Sequence, residues 1–398
     1  MKILVFAHQL EVGGTQVSAI QLMAALRDIH GHDVVLFATP GPAVKLAEQN
    51  GIRYLPAPDA FMHPSPARMR ALREAVRREK PDLIHIWDWW QCLDAYYIEH
   101  LLMRIPVLVT DMMMILTRVL PKALHTTFGT PELVDQAKAA GRRRAQLLLP
   151  PVDVQRDAPN AVDPQSFRDR YGINDKHITL VTVSRLDQCM KAESLRRTVA
   201  AVRTLGRELP LRYVIVGDGQ IRPELEHLAV ETNNELGRSA VVLTGELLDP
   251  RPAYAAADIV VGMGGSALRG MAFGKPVVIV GKLGFSAPFD PQTQEFFYYK
   301  GIFGWGEGGA SNEKHVGDLR SVAAQRDQFP AIGEFSRQWV LRNFALEKVS
   351  AQLEKYCCAA VAEMSQFHVA ATDGLRTAAV CLRERRLLSY RFWQRIRG

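Results

Sequence analysis

Cysteine is scarce in this 398-residue chain. The five residues Cys92, Cys189, Cys357, Cys358 and Cys381 form an odd count without metal-ligand spacing. That excludes a disulfide framework, and reduced thiols in a cytoplasm are the expected state. No uninterrupted apolar run is long enough to span a bilayer. The apolar opening, Met1 to Ala7, is too short for a signal peptide and lacks a small-residue cleavage site, so it is expected to be a buried strand. The glycine turn after the first strand, Gly13-Gly14, is not G-x-G-x-x-G, which counts against a dinucleotide site. No Asp-x-Asp stands in a metal-binding context. Basic residues exceed acidic ones by seven, but the surplus is local: Leu375 to Gly398 holds seven arginines against one glutamate. The remainder is near neutral, unlike a nucleic-acid binder with charge spread over a face.

What is present is a regular alternation. Strands are predicted at 2–7, 34–38, 52–55, 82–87, 106–110 and 145–149, with helices at 15–26 and around 68–80. After Leu149-Pro150-Pro151 and a polar stretch from Asn160 to Lys176, the pattern restarts. Strands follow at 178–183, 211–216, 240–243, 258–261 and 276–280, separated by helical stretches. Near-continuous apolar strands alternating with helices predict parallel sheets covered on both faces. The fold class is therefore α/β, with two doubly wound Rossmann-like domains facing a cleft: 1–160, then 161–345. Helices over 346–398 cross back to the first domain and end in a basic tail. Ligands of such sheets bind at the carboxyl ends of the strands, so each motif following a strand is a site candidate.

Four motifs do so. Gly13-Gly14 follows the first strand and opens a helix, where backbone amides and the helix dipole favour an anion, or where a tight turn needs glycine. Ser184-Arg185-Leu186 leaves a strand, and Lys191 stands near the next helix start. Two cations there suit a diphosphate, though a solvated surface pair is the alternative. Val216-Gly217-Asp218-Gly219 permits a tight turn and is either ligand-facing or structural. Gly262-Met263-Gly264-Gly265-Ser266 is a glycine-rich loop opening a helix that carries Arg269 and ends at Gly274.

In this order the motifs resemble the GT-B glycosyltransferases of family 4, retaining nucleotide-sugar enzymes, over nearly the whole length. Glu11-Val12-Gly13-Gly14 is similar to the family's N-terminal glycine loop, and Pro150-Pro151-Val152-Asp153 to its interdomain signature. Arg185 with Lys191 is similar to the pair that grips the donor diphosphate. Val216 to Gly219, Ala256-Ala257-Asp258 and Met271-Ala272-Phe273-Gly274-Lys275-Pro276 also fit. The resemblance implies a GT-B fold and transfer of a hexosyl unit from a nucleoside diphosphate sugar to an acceptor hydroxyl. It implies retention and no cofactor or metal. The donor-side residues are then Gly13, Gly14, Arg185, Lys191, Gly217, Gly219, Gly264, Gly265, Ser266 and Arg269.

One departure stands out. The family's two glutamates, eight positions apart, should fall near Val261 and at Arg269; neither position is acidic. Arginine has donors only and cannot accept from ribose hydroxyls. On the acceptor side, the family's strand-end histidine is replaced by Asp111, which accepts from sugar hydroxyls, positions the acceptor, or caps the next segment. His8, His85 and Trp87-Asp88-Trp89-Trp90 are further candidates there. The basic tail, with Phe392 and Trp393, either meets an anionic membrane surface or packs back on the first domain. Two other readings share the architecture: a sugar-nucleotide 2-epimerase, which needs acid/base carboxylates, and a non-catalytic nucleotide or glycan binder, which the absent glutamates favour. The base, the sugar and the acceptor are left open.

Overall fold

Apolar strands that alternate with helices must bury both sheet faces. The computed structural model, which describes residues 1–11 and 13–384, does this twice. The chain divides into two compact units, Met1–Pro151 with the chain from Leu346, and Val152–Ala345.

The first unit holds β1 (Lys2–Phe6), β2 (Asp33–Ala38), β3 (Arg53–Pro56), β4 (Leu83–Trp87), β5 (Val107–Asp111), β6 (His125–Phe128) and β7 (Ala145–Leu147). They lie in the order β3-β2-β1-β4-β5-β6-β7, all parallel. Alternate residues feed opposite cores. Ile3 and Val5 join Leu22, Met23 and Leu36 on one face, whereas Leu4 and Phe6 join Val35, Ile84 and Ile86 on the other. The strand β6 has no counterpart in the sequence prediction. Its residues, His125-Thr126-Thr127-Phe128, look polar, yet all four are buried, and Thr127 meets Thr110 hydroxyl to hydroxyl at 2.9 Å. Asp111 is the last rung of β5, opposite Phe128, rather than the residue after the strand.

From Ala331 to near Met364 the apolar spacing reads as one helical stretch, but the structure breaks it into Phe329–Phe344 and Leu346–Ala362. Ala345 between them is extended, with ψ of 133°, and Val152 N donates to Phe344 O at 2.8 Å. The helix Leu346–Ala362 gives Val349, Leu353 and Cys357 to one core of the first unit, and Tyr356 Oη donates to Leu147 O at 2.9 Å. The helix Phe367–Arg383 gives Cys381 to the opposite core; its Ala370 O accepts from Tyr96 Oη at 2.8 Å, and its Asp373 accepts from Ala123 N at 2.8 Å. Burial on both faces explains why the chain end belongs to the first unit. The tail segment 385–398, including Phe392 and Trp393, lies outside the described residues. No described helix is long and apolar enough to cross a membrane.

The second unit holds β8 (Ile178–Val183), β9 (Leu211–Val216), β10 (Val241–Gly245), β11 (Ile259–Gly262), β12 (Val277–Val280) and β13 (Ser286–Pro288), in the order β10-β9-β8-β11-β12-β13. The first five are parallel; β13, absent from the sequence prediction, pairs antiparallel at the edge. Both sheets reverse direction beside their first strand, β1 against β4 and β8 against β11, which is where doubly wound sheets open a crevice.

Several histidines are buried neutral. His85, in β4, contacts Thr110 Oγ1 at 2.8 Å, and burial lowers its pKa to about 3. The unfolded chain binds a proton there below about pH 6.5 and the native chain does not, so stability falls as pH drops from there toward 3. Thermal unfolding at pH 7 and pH 4.5 should show a lower midpoint at the acid value, and His85→Gln should reduce that difference.

Candidate functional site

In the second unit, the carboxyl ends of β8, β9 and β11 converge. Ser184 N donates to Val216 O at 2.9 Å and Leu186 N to Asp218 O at 2.8 Å, so the loop after β8 runs beside the loop after β9. Two glycines make this approach feasible. A Cβ on Gly217 would lie 1.8 Å from Ser184 O, and one on Gly219 would lie 2.6 Å from Leu186 O; both residues have positive φ. Of the two sequence readings for Gly217 and Gly219, the close approach observed is to protein backbone. They hold the loop that carries Arg185.

Arg185 is exposed on that loop. Asp187 follows it and starts the next helix, accepting from Met190 N at 2.7 Å through its side chain and from Ala192 N at 3.1 Å through its carbonyl. Lys191 sits at the N-cap of the helix Ala192–Leu205 and lines a small cavity with Thr182, Ser184, Ser194 and Ser266. Burial lowers its pKa to about 8, with Asp187 opposing and Arg185 adding to the shift. Beneath the cavity, Tyr213 Oη donates to Thr182 Oγ1 at 2.9 Å and Thr182 Oγ1 to Val261 O at 2.7 Å, which fixes the floor.

Across the cavity stands the glycine-rich loop. Gly264 has φ of 58° and ψ of −135°, a conformation favouring glycine, and its amide donates to Ile302 O at 2.6 Å. That amide is spent on the protein and is not offered to a ligand. The helix Gly265–Ala272 begins next, and its first-turn amides have no preceding turn to bond. A Cβ on Gly265 would meet nothing within 4 Å, so no packing demands glycine there. Ser266 Oγ accepts from Tyr254 Oη at 3.2 Å and faces the cavity. Gly270 seats the helix on its strand: a Cβ there would lie 2.8 Å from Val260. Thus Lys191 and Ser266 share one cavity; Arg185 does not line it, but it follows Ser184, which does, and its charge acts on Lys191.

Arg269 points elsewhere. Its Nε lies 3.4 Å from Asp157 Oδ2, and Asp157 is buried. Burial raises the Asp157 pKa, and the Arg269 charge opposes that rise. The sequence offered no sign of this pair, because Asp157 lies between the Pro150-Pro151 boundary and the polar stretch, in none of the motifs. Arg269→Met should destabilise the protein by about 1–3 kcal/mol by leaving a buried carboxylate without its partner. Denaturant unfolding checks this; the double variant with Asp157→Asn should recover part of the loss.

In the first unit, Gly13 is extended and Gly14 opens the helix Gly14–Asp28. A Cβ on Gly14 would meet nothing within 4 Å, so close packing does not explain that glycine. Gln16 at this helix start is 3.1 Å from His8 Nε2. Asp111 is fully buried; its Oδ1 accepts from Met113 N at 3.0 Å, which realises the capping reading, while Oδ2 has no hydrogen-bond partner. Burial, then the neighbouring Asp88, raises its pKa to about 7. Asp88 follows β4 directly with φ of 78°, caps the helix Trp89–Ala95, and is likewise raised by burial. Asp88 N donates to Thr110 O at 2.9 Å, so the two carboxylates come off neighbouring strands. Sequence analysis noted Asp88 only within its aromatic run. Among the described residues, no group of three or more His, Cys, Asp or Glu is placed to hold a metal ion.

A pair of doubly wound sheets, with cations and a helix start gathered at strand ends, is the GT-B architecture. Residues 12–128 match the sequence model of Glycosyltransferase Family 4, and residues 177–294 match that of Glycosyl transferases group 1, so the chain carries both glycosyltransferase domains. Among solved structures, a glycosyltransferase from Rickettsia africae superposes with a TM-score of 0.71 at 14% identity, covering 91% of this chain and 99% of that one. HepE of Anabaena, solved in complex with UDP, gives 0.68 at 16% identity over 90% and 100%. A UDP-GlcNAc 2-epimerase from Neisseria meningitidis gives 0.59 at 11% over 89% and 99%. At these identities the likeness speaks for the fold. No curated protein matches by sequence.

Proposed function

We propose that the protein transfers a hexosyl unit, with retention, from a nucleoside diphosphate sugar to an acceptor hydroxyl. The observation that carries the reading is the cavity where Lys191, Ser266 and the start of the helix Gly265–Ala272 meet, with Arg185 on the loop beside it, in a chain bearing both glycosyltransferase domains. Amides without acceptors, the positive end of a helix and two cations suit a diphosphate. As the glycosyl bond breaks, charge accumulates on the departing diphosphate, and fixed cations stabilise it without needing to reorganise. HepE of Anabaena has also been solved with UDP-glucose, which makes uridine donors the first to test. In this reading Asp111 orients the acceptor.

A second reading gains from the structure. A sugar-nucleotide 2-epimerase needs acid/base carboxylates, and half-buried Asp88 with buried Asp111 supplies a pair whose pKa values are raised. Product analysis in the absence of acceptor separates the two: an epimerised sugar nucleotide supports the epimerase.

Thermal stabilisation by UDP-, GDP-, ADP- and dTDP-sugars tests the donor site. One nucleotide class should raise the unfolding midpoint, and Arg185→Ala should remove most of that rise. No rise with any class would overturn the donor reading. The Lys191 pKa of about 8 adds a pH signature. The ammonium that attracts the diphosphate is lost as pH rises through about 8, and bound diphosphate shifts that loss upward. Affinity should therefore weaken between pH 7 and pH 10, and Lys191→Met should bind weakly with a flatter profile.

A further inference from the structure

The second unit holds another cavity, which shares no lining residue with the one at Lys191. Its volume is about 520 Å³, within the ~300–1,000 Å³ of small-molecule sites. Two helices wall it. Gln294, Glu295 and Tyr298 come from the helix Gln294–Lys300. Phe335, Trp339 and Arg342 come from the helix Phe329–Phe344, where steps of four and three residues put them on one face.

Both walls are anchored, so the space is preformed. The Arg337 guanidinium donates to Ala272 O, and a Cβ on Gly333 would collide with Gly274 O, which seats the longer helix against the end of the helix Gly265–Ala272. Two residues beyond the shorter helix, Ile302 O takes the Gly264 amide. The Trp339 ring centre lies 4.7 Å from that of Phe289 and 4.9 Å from that of Phe344, so the indole cannot turn aside.

The lining chemistry narrows the occupant. Trp339 is 3% exposed and forms the floor. Among the described residues nothing accepts from its indole N–H, yet that N–H is not sealed in as those of Trp87 and Trp90 are, so its opening is onto the cavity. The Tyr298 hydroxyl has no partner among the described residues either, and Gln294 donates to Pro291 O at 3.3 Å, which leaves its side-chain carbonyl to accept. Glu295 and Arg342 are exposed, at the mouth. One carboxylate and one guanidinium give the lining no preference for either sign of charge. A wholly apolar ligand would strip water from the indole N–H, the phenol and the amide without replacing its bonds. A pyranose meets both demands: its hydroxyls donate and accept, and its C–H face packs on aromatic rings.

We propose that this cavity is a saccharide-binding site separate from the donor cavity. It takes a neutral sugar whose ring lies against Trp339 and Phe335 and whose hydroxyls meet the Trp339 N–H, the Tyr298 hydroxyl and the Gln294 carbonyl. Binding there is independent of sugar transfer; its use to hold an acceptor or product away from the reacting end rests on the glycosyltransferase reading.

The test uses free disaccharides and no nucleotide, so its failure is separable from failure of the donor reading. The full chain is titrated with maltose, cellobiose, lactose and diacetylchitobiose, and in parallel with inorganic phosphate and n-octanol, following tryptophan fluorescence and thermal midpoint. A saturable response to at least one disaccharide is expected. It should weaken about fivefold or more in Tyr298→Ala and in Trp339→Phe, the loss of one hydrogen bond or ring face, and stay unchanged in Lys191→Met. Circular dichroism of the ligand-free variants reports their folding. If Trp339→Phe does not fold, Tyr298→Ala and Gln294→Ala, on half-buried positions, carry the comparison. No response to any disaccharide, a response only to phosphate or octanol, full affinity in Tyr298→Ala, or loss of the response in Lys191→Met would each overturn the proposal.

Discussion

The second unit depends on two backbones lying side by side. Loop Ser184–Leu186 and loop Val216–Gly219 bond as though their strands continued past the sheet edge, and the contact leaves no space for a Cβ at Gly217 or Gly219. From that contact the Arg185 loop takes its course, and through Asp187 it sets the start of the helix that presents Lys191. The glycine-rich loop opposite is fixed in the same manner, by the Gly264 amide on Ile302 and by Gly270 on Val260. Cations and amides that must act on a charged leaving group are thereby set on backbone with little freedom, which electrostatic stabilisation requires.

Glycine has opposite uses along this chain. Gly217, Gly219 and Gly270 allow protein to approach protein. Gly14 and Gly265 have open space where a Cβ would be, each at a helix start. Only the second kind leaves the helix end open to something outside the fold. A sequence shows both as the same letter, which is why Gly217 and Gly219 could be read there as either ligand-facing or structural.

The architecture was legible in the sequence because buried parallel strands such as Ile178–Val183 and Leu211–Val216 are apolar throughout. The strand β6 escaped notice because hydroxyl pairing between Thr110 and Thr127, rather than apolar side chains, makes its burial tolerable. Lys191 and Ser266 were readable from their positions after strands. The Asp157–Arg269 pair and the cavity at Trp339 were not, since each joins residues that the fold alone makes neighbours. Asp88 lay in view, but its approach to Asp111 depends on β4 and β5 being adjacent.

The return of the chain at Leu346 has a consequence for biogenesis. The second unit is one uninterrupted stretch, Val152–Ala345, set within the first. On a ribosome it can complete its core while the first unit still lacks the helices Leu346–Ala362 and Phe367–Arg383, which cover its two faces. The earliest segment made is therefore among the last to be finished. Until the end of the chain arrives, the strands β1 to β7 hold apolar surface open to whatever else is in the cell. A chain cut short near Ala345 would keep its cation-bearing sheet intact and lose the closure of the other.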